Sequence, residues 1–183
     1  MKNTPSLSRR SFLFNLAGAS AAALFAAPAD VLAGFTLERR INFRHTHTKE
    51  KLDIVYYSEG RYLPDAMLEI QNFLRDHRTD ETHHIDPKLF DILYAISHTC
   101  RRNSCFQVVS GYRSPTTNRM LRRKSRGVAR HSLHMQGKAI DVRLDDISSR
   151  TLRNVAVALK QGGVGYYRRS DFVHIDTGRV RTW

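Results

Sequence analysis

The segment Ser132-Leu133-His134-Met135-Gln136-Gly137-Lys138-Ala139-Ile140-Asp141 restricts the fold of this chain more than any other stretch. It sets a histidine and an aspartate on either side of a glycine, where a loop enters the run Lys138 to Leu144, which reads as a strand. Gly137 permits a bend that a residue with a Cβ resists, so the two polar side chains can meet at one point. A second histidine, His174, sits in the alternating run Asp171-Phe172-Val173-His174-Ile175-Asp176. If the two strands are neighbours, His134, Asp141 and His174 converge. Two imidazoles and a carboxylate suit a catalytic zinc ion, which takes three protein ligands and keeps a fourth position for water. A lone strand histidine is ordinarily just packed or hydrogen-bonded, as expected for His98 on a helix without partners. His134 and His174 differ because each has an acidic companion.

The rest of the chain supplies the frame. Ile41 to His45 and Leu52 to Tyr57 read as strands around a polar turn, and Pro64 opens a helical pattern carrying Met67, Leu68, Ile70, Phe73 and Leu74. After a polar loop, Asp86-Pro87 is a helix-start signal, with Phe90, Leu93, Ile96 and Tyr94 as inward candidates. Phe106 to Val109 is a short strand, Pro115 to Lys124 a helix, and Ser148 to Lys160 a helix ended by Gly162-Gly163. Val164 to Tyr167 and Phe172 to Asp176 complete a hairpin. Helices come mainly early and strands mainly late, which predicts an α+β domain: an antiparallel sheet with helices packed on it. A chain of 183 residues holds one such domain with its own core, and no internal apolar run approaches the ~20 residues of a membrane span.

Ser110-Gly111-Tyr112-Arg113-Ser114, where a strand ends and turns, is the third segment of chemical interest. Taken with the other two, the resemblance is specific. Ser132 to Asp141 resembles the S-x-H-x-x-G-x-A-x-D motif of the D-alanyl-D-alanine zinc peptidases, which share their fold with lysostaphin-type enzymes and the hedgehog domain. Gly111-Tyr112-Arg113-Ser114 resembles that group's arginine-bearing turn, and the run from Gly162 to Trp183 is similar to murein endopeptidase K and its relatives. The resemblance implies that His134, Asp141 and His174 bind Zn2+, that Arg113 orients substrate or stabilises an oxyanion, and that Ser132 and Ser114 lie near substrate. It also implies a base three residues before the last histidine, where this chain has Asp171, one methylene shorter than the group's glutamate. Asp176 is the rival carboxylate, as a base or as a group that fixes the His174 ring. His131 could serve as a base or substrate contact, against the plainer reading of a surface histidine.

The implied activity is hydrolysis of peptide cross-links in peptidoglycan. A D,D- or L,D-carboxypeptidase trimming stem peptides needs the same metal chemistry, and a non-catalytic wall-binding module needs only the fold. The net charge of +13 favours polyanions. Arg119, Arg122, Arg123, Lys124, Arg126 and Arg130 form a basic run, read as a positive rim for wall carboxylates. Nucleic acid is disfavoured because no aromatics interleave it. His45-Thr46-His47 and His83-His84 have no third ligand at sensible spacing and read as surface loops.

The N-terminus carries an address. Ser8-Arg9-Arg10-Ser11-Phe12-Leu13 leads into a small-residue apolar stretch ending near Val31-Leu32-Ala33, which resembles a twin-arginine signal with a cleavage site after Ala33. Residues 1–33 are therefore expected to be removed, leaving a periplasmic domain of residues 34–183, still at +11, with no stable membrane anchor. Cys100 and Cys105 could close a small loop there or remain thiols.

Overall fold

The computed structural model describes residues 38–100, 105–125 and 127–183. The expected signal, Arg126, and the segment 101–104 between the two cysteines lie outside them. Strands β1 (Arg39–His45) and β2 (Lys51–Ser58) form the expected hairpin, with Phe43 opposite Leu52. The two-residue strand β3 (Arg61–Tyr62), too short to leave a sequence pattern, extends it. Helix α1 (Pro64–Phe73) starts with proline at its first turn and buries Ala66, Met67, Ile70 and Phe73 at helical spacing. Helix α2 (Lys88–Thr99) follows Asp86, whose carboxylate accepts from the Lys88 N–H at 3.1 Å. It buries Phe90, Leu93 and Ile96 as expected, and Leu89 and Ile92 besides, while Tyr94 stays half-buried.

β4 (Phe106–Ser110) leads to α3 (Pro115–Lys124), and a 3-10 turn (Leu133–Gln136) precedes β5 (Ala139–Leu144). Next come α4 (Ser149–Leu159), β6 (Gly163–Tyr167), β7 (Phe172–Asp176) and β8 (Arg181–Thr182). All eight strands join one sheet in the order β3-β2-β1-β4-β5-β7-β6-β8.

The domain is α+β, but the sheet is mixed rather than antiparallel: β1 pairs with β4, and β6 with β8, in parallel. The reason is topological. Between β1 and β4 the chain passes through a hairpin and two helices, long enough for the crossover that parallel pairing requires. Alternation along β5 and β7 then divides the sheet. Ile140, Val142, Leu144, Val173 and Ile175 enter the core with Phe43, Val108, Leu93, Ile96 and Leu152. Each such side chain contributes roughly 1.5–3 kcal/mol through burial. Asp141 and His174, directly opposite in register, project from the other face. One face builds the core and the other carries the chemistry.

His45 departs from the surface reading. It ends β1 fully buried, its ring 5.4 Å from that of His77 and 5.9 Å from that of His47. Its Nδ1 accepts from the N–H groups of His47 and Thr48, which fixes the turn. Burial, helped by the nearby His47 and by Arg75 and Arg78, lowers its pKa to about 4. The folded state therefore binds this proton less readily than the unfolded chain does. The stabilisation is complete above pH 6.5, the ordinary histidine value, and is lost as pH falls through about 4. Its full size is roughly 3 kcal/mol. Urea unfolding of wild type and His45→Gln should show a stability gap that narrows from pH 7 to pH 4.5; a constant gap would contradict this.

Candidate metal centre and cleft

The three ligand-type residues come together as the sequence requires. The 3-10 turn carries His134, closed by Gly137 in the left-handed region at φ 64°. A Cβ on Gly137 would lie 1.9 Å from the His84 carbonyl oxygen. Gly137→Ala should therefore cost roughly 2–4 kcal/mol in strain and clash, read by denaturant unfolding, and should loosen metal binding. β5 carries Asp141, and β7 carries His174.

Three atoms converge. His134 Nε2 lies 3.2 Å from Asp141 Oδ1 and 3.1 Å from His174 Nδ1, and His174 Nδ1 lies 2.9 Å from Asp141 Oδ1. A tetrahedral ion with bonds of about 2.0–2.1 Å would space such atoms about 3.3 Å apart. The tautomers agree. His134 Nδ1 donates to the Gly111 carbonyl at 2.8 Å, and His174 Nε2 donates to Asp176 at 3.0 Å. Each ring thus turns a lone pair toward Asp141. Two lone pairs and an acceptor-only carboxylate, all buried, call for a cation between them. Burial disfavours a charge on His174, but Asp141 and Asp176 outweigh burial and raise its pKa to about 9. Burial alone would raise the Asp141 carboxyl; the two imidazoles hold it well below the usual range. These residues can hold one metal ion.

The supports reach far along the chain. Asp176 is fully buried and accepts from His174, from both Nη atoms of Arg181 at 3.0 and 2.7 Å, and from the Gly163 and Gly178 N–H groups. These donors engage both carboxylate oxygens, which holds the His174 ring in place. Arg113 is 9% exposed, with Nη2 3.5 Å from Asp141 Oδ2 and Nε buried without a partner. Its turn is pinned by the Tyr112 N–H to the Leu74 carbonyl at 2.8 Å and the Arg113 N–H to the His134 carbonyl at 3.2 Å.

Arg113, His131, Ser132, His134, Asp141 and His174 line one cleft of about 600 Å³. Two expected residues stand apart from it. Ser114 is fully buried; its hydroxyl accepts from the Thr117 N–H to cap α3, and its own N–H donates to Asp76, so its work is structural. Asp171 precedes β7 at φ 49° with its carboxylate mostly exposed, accepting from the Ser149 hydroxyl at the start of α4. Asp171 belongs to the turn ahead of β7, outside the strand that carries His174.

Several cleft residues went unrecognised in the sequence: Tyr167, Phe172, Arg181 and Trp183. The Trp183 ring lies 5.3 Å from that of His174, and its indole N–H donates to the Tyr167 hydroxyl at 3.2 Å. Arg181 opens the two-residue strand β8 and Trp183 follows it, and so short a strand gives alternation too little length to be read.

Comparison with known proteins matches this arrangement to a family. A family model described as peptidoglycan L,D-endopeptidase MepK matches residues 35–183. Peptidoglycan L,D-endopeptidase MepK of Escherichia coli strain K12 is 38% identical over 162 residues, covering 88% of this chain and 89% of that protein. The probable peptidoglycan L,D-endopeptidase MepK of Haemophilus influenzae is 42% identical over 146 residues, 79% of this chain and 78% of that one. No solved structure matches. With the match spanning the turn, the 3-10 segment and both ligand strands, the chain belongs to the peptidoglycan L,D-endopeptidase MepK family.

Proposed function

We propose that this chain is a zinc-dependent murein endopeptidase that hydrolyses peptide cross-links of peptidoglycan in the periplasm, after twin-arginine export and removal of residues 1–33. The observation that carries the reading is the convergence of His134 Nε2, Asp141 Oδ1 and His174 Nδ1 in a cleft that Arg113 also lines. Family membership supports the peptidase activity, and the names of the relatives support a bond between an L and a D centre.

His134, Asp141 and His174 would hold the zinc. Zinc there supplies Lewis-acid chemistry, polarising a carbonyl and making water a better nucleophile at neutral pH. The chain's own groups do the rest. Arg113 stays cationic in a buried setting and presents donors where negative charge grows on the scissile carbonyl oxygen. Ser132, nearly buried on the cleft wall, contacts substrate. Asp176, held by Arg181, keeps the His174 ring in the tautomer that a metal requires. His131 is an exposed titratable residue on the cleft wall, and we assign it the proton transfer. His131→Ala should lower turnover by roughly two to four orders of magnitude with metal retained. Asp171→Ala should stay within about threefold of wild type, since its carboxylate is exposed beside α4. The reverse pattern would return the base to Asp171.

The reading is tested by digesting purified sacculi with residues 34–183, with and without a chelator, and resolving the muropeptides. Loss of cross-linked dimers with a matching rise in monomers, abolished by chelation, is the expected result. Shortened monomers with dimers intact would make the enzyme a carboxypeptidase. No change with metal-loaded protein would leave a wall-binding module.

A further inference from the structure

A second hollow lies around the sheet edge from the metal cleft. It is formed by Ser148, Arg150 and Arg153 at the start of α4 with Tyr166 and Arg168 of the β6 end. A smaller depression bounded by Arg153, Tyr166, Thr182 and Trp183 adjoins it, and Trp183 is also a wall of the metal cleft. Trp183 is thus common to the cleft and the depression, and Arg153 and Tyr166 to the depression and the arginine hollow, so the depression links the two. Trp183 is built into this position. Its ring covers Gly165 so closely that a Cβ there would come within 2.6 Å of it, and half of its surface remains exposed.

The chemistry of the hollow is one-sided. It contains three guanidinium groups, and no carboxylate among the described residues pairs with Arg150, Arg153 or Arg168. Arg153 lies 5.5 Å from the centre of the Tyr166 ring, and its Nε is buried with no partner. An unmet buried donor beside two further cations favours an anionic acceptor, and a guanidinium fork matches a carboxylate in shape.

We propose that this hollow is a second substrate subsite, which takes the carboxylate of a wall peptide beyond the bond being cut. The inference rests on cross-linked peptidoglycan being the substrate. A polymer carrying many carboxylate-bearing stems can place one bond in the metal cleft and a neighbouring stem past Trp183. The subsite holds the polymer and contributes nothing to the chemical step.

The test compares zinc-loaded wild type with the triple variant Arg150→Gln/Arg153→Gln/Arg168→Gln. A control, Lys51→Gln/Arg61→Gln/Lys88→Gln, removes the same charge elsewhere. Zinc content and thermal unfolding establish that each is folded. Binding to sacculi by co-sedimentation should weaken at least about fivefold in the hollow variant and less than twofold in the control. Turnover of a soluble cross-linked peptide dimer should be unchanged in both. Sacculi with amidated carboxylates should pull wild-type binding down to the level of the hollow variant. Undiminished binding by the hollow variant, an equal loss in the control, or equal sensitivity of both proteins to amidation would each overturn the proposal. If wild type cleaves neither sacculi nor dimer, the endopeptidase reading fails, while the binding comparison still decides the hollow.

Discussion

His134→Ala should yield a folded protein that holds no metal and cuts cross-links at least ~1,000-fold more slowly than wild type. The ring does two things at once. Its Nε2 meets Asp141 and His174, and its Nδ1 donates to the Gly111 carbonyl behind it. Removing it leaves two ligands where a catalytic ion needs three. That exceeds the loss of an outer hydrogen-bond partner, which lowers affinity roughly 10–100-fold. The fold should persist, because the core lies on the other face of the sheet and loses no apolar contact there. Metal content by elemental analysis, circular dichroism and muropeptide release check the three parts separately. His98→Ala, on an exposed helix position, is the control and should match wild type. A variant that kept full activity would remove His134 from the site.

Arg113→Ala should separate metal binding from catalysis. Its guanidinium touches Asp141 only at 3.5 Å, so the ligand set should survive its loss. What disappears is a buried cation facing the cleft, with donors unused in the free protein. Such a group acts on charge that develops in the transition state, in a setting where water does not screen it. The expected effect is a fall of roughly 100- to 1,000-fold in kcat with near-normal metal content. Arg113→Lys should recover only part of this, since a compact ammonium cannot reproduce the planar fork. A change confined to KM would make Arg113 a ground-state binding group instead.

How much of this was legible depended on the length of each pattern. The helices and longer strands declared themselves because Pro64, Asp86-Pro87 and Ser148 mark starts and apolar spacing marks faces. The convergence of His134, Asp141 and His174 was legible for a different reason: each sits beside a backbone device, a glycine bend or an alternating strand. The parallel pairs were not legible, because partner choice across a sheet leaves no trace in either strand alone. The place of Asp171 was not legible, because it lies in a turn before β7 whose left-handed backbone no strand pattern reveals. For Ser114 a helix cap and a substrate hydroxyl look the same in sequence; its burial and the Thr117 N–H favour the cap.

The sheet order also divides the candidate ligands by their separation along the chain. His134 and Asp141 are seven residues apart, but His174 reaches them only through the pairing of β7 with β5. Without that pairing β5 keeps one ladder edge open, and an ion at this site would meet two of the three residues. Metal affinity is therefore expected to report the closure of that edge.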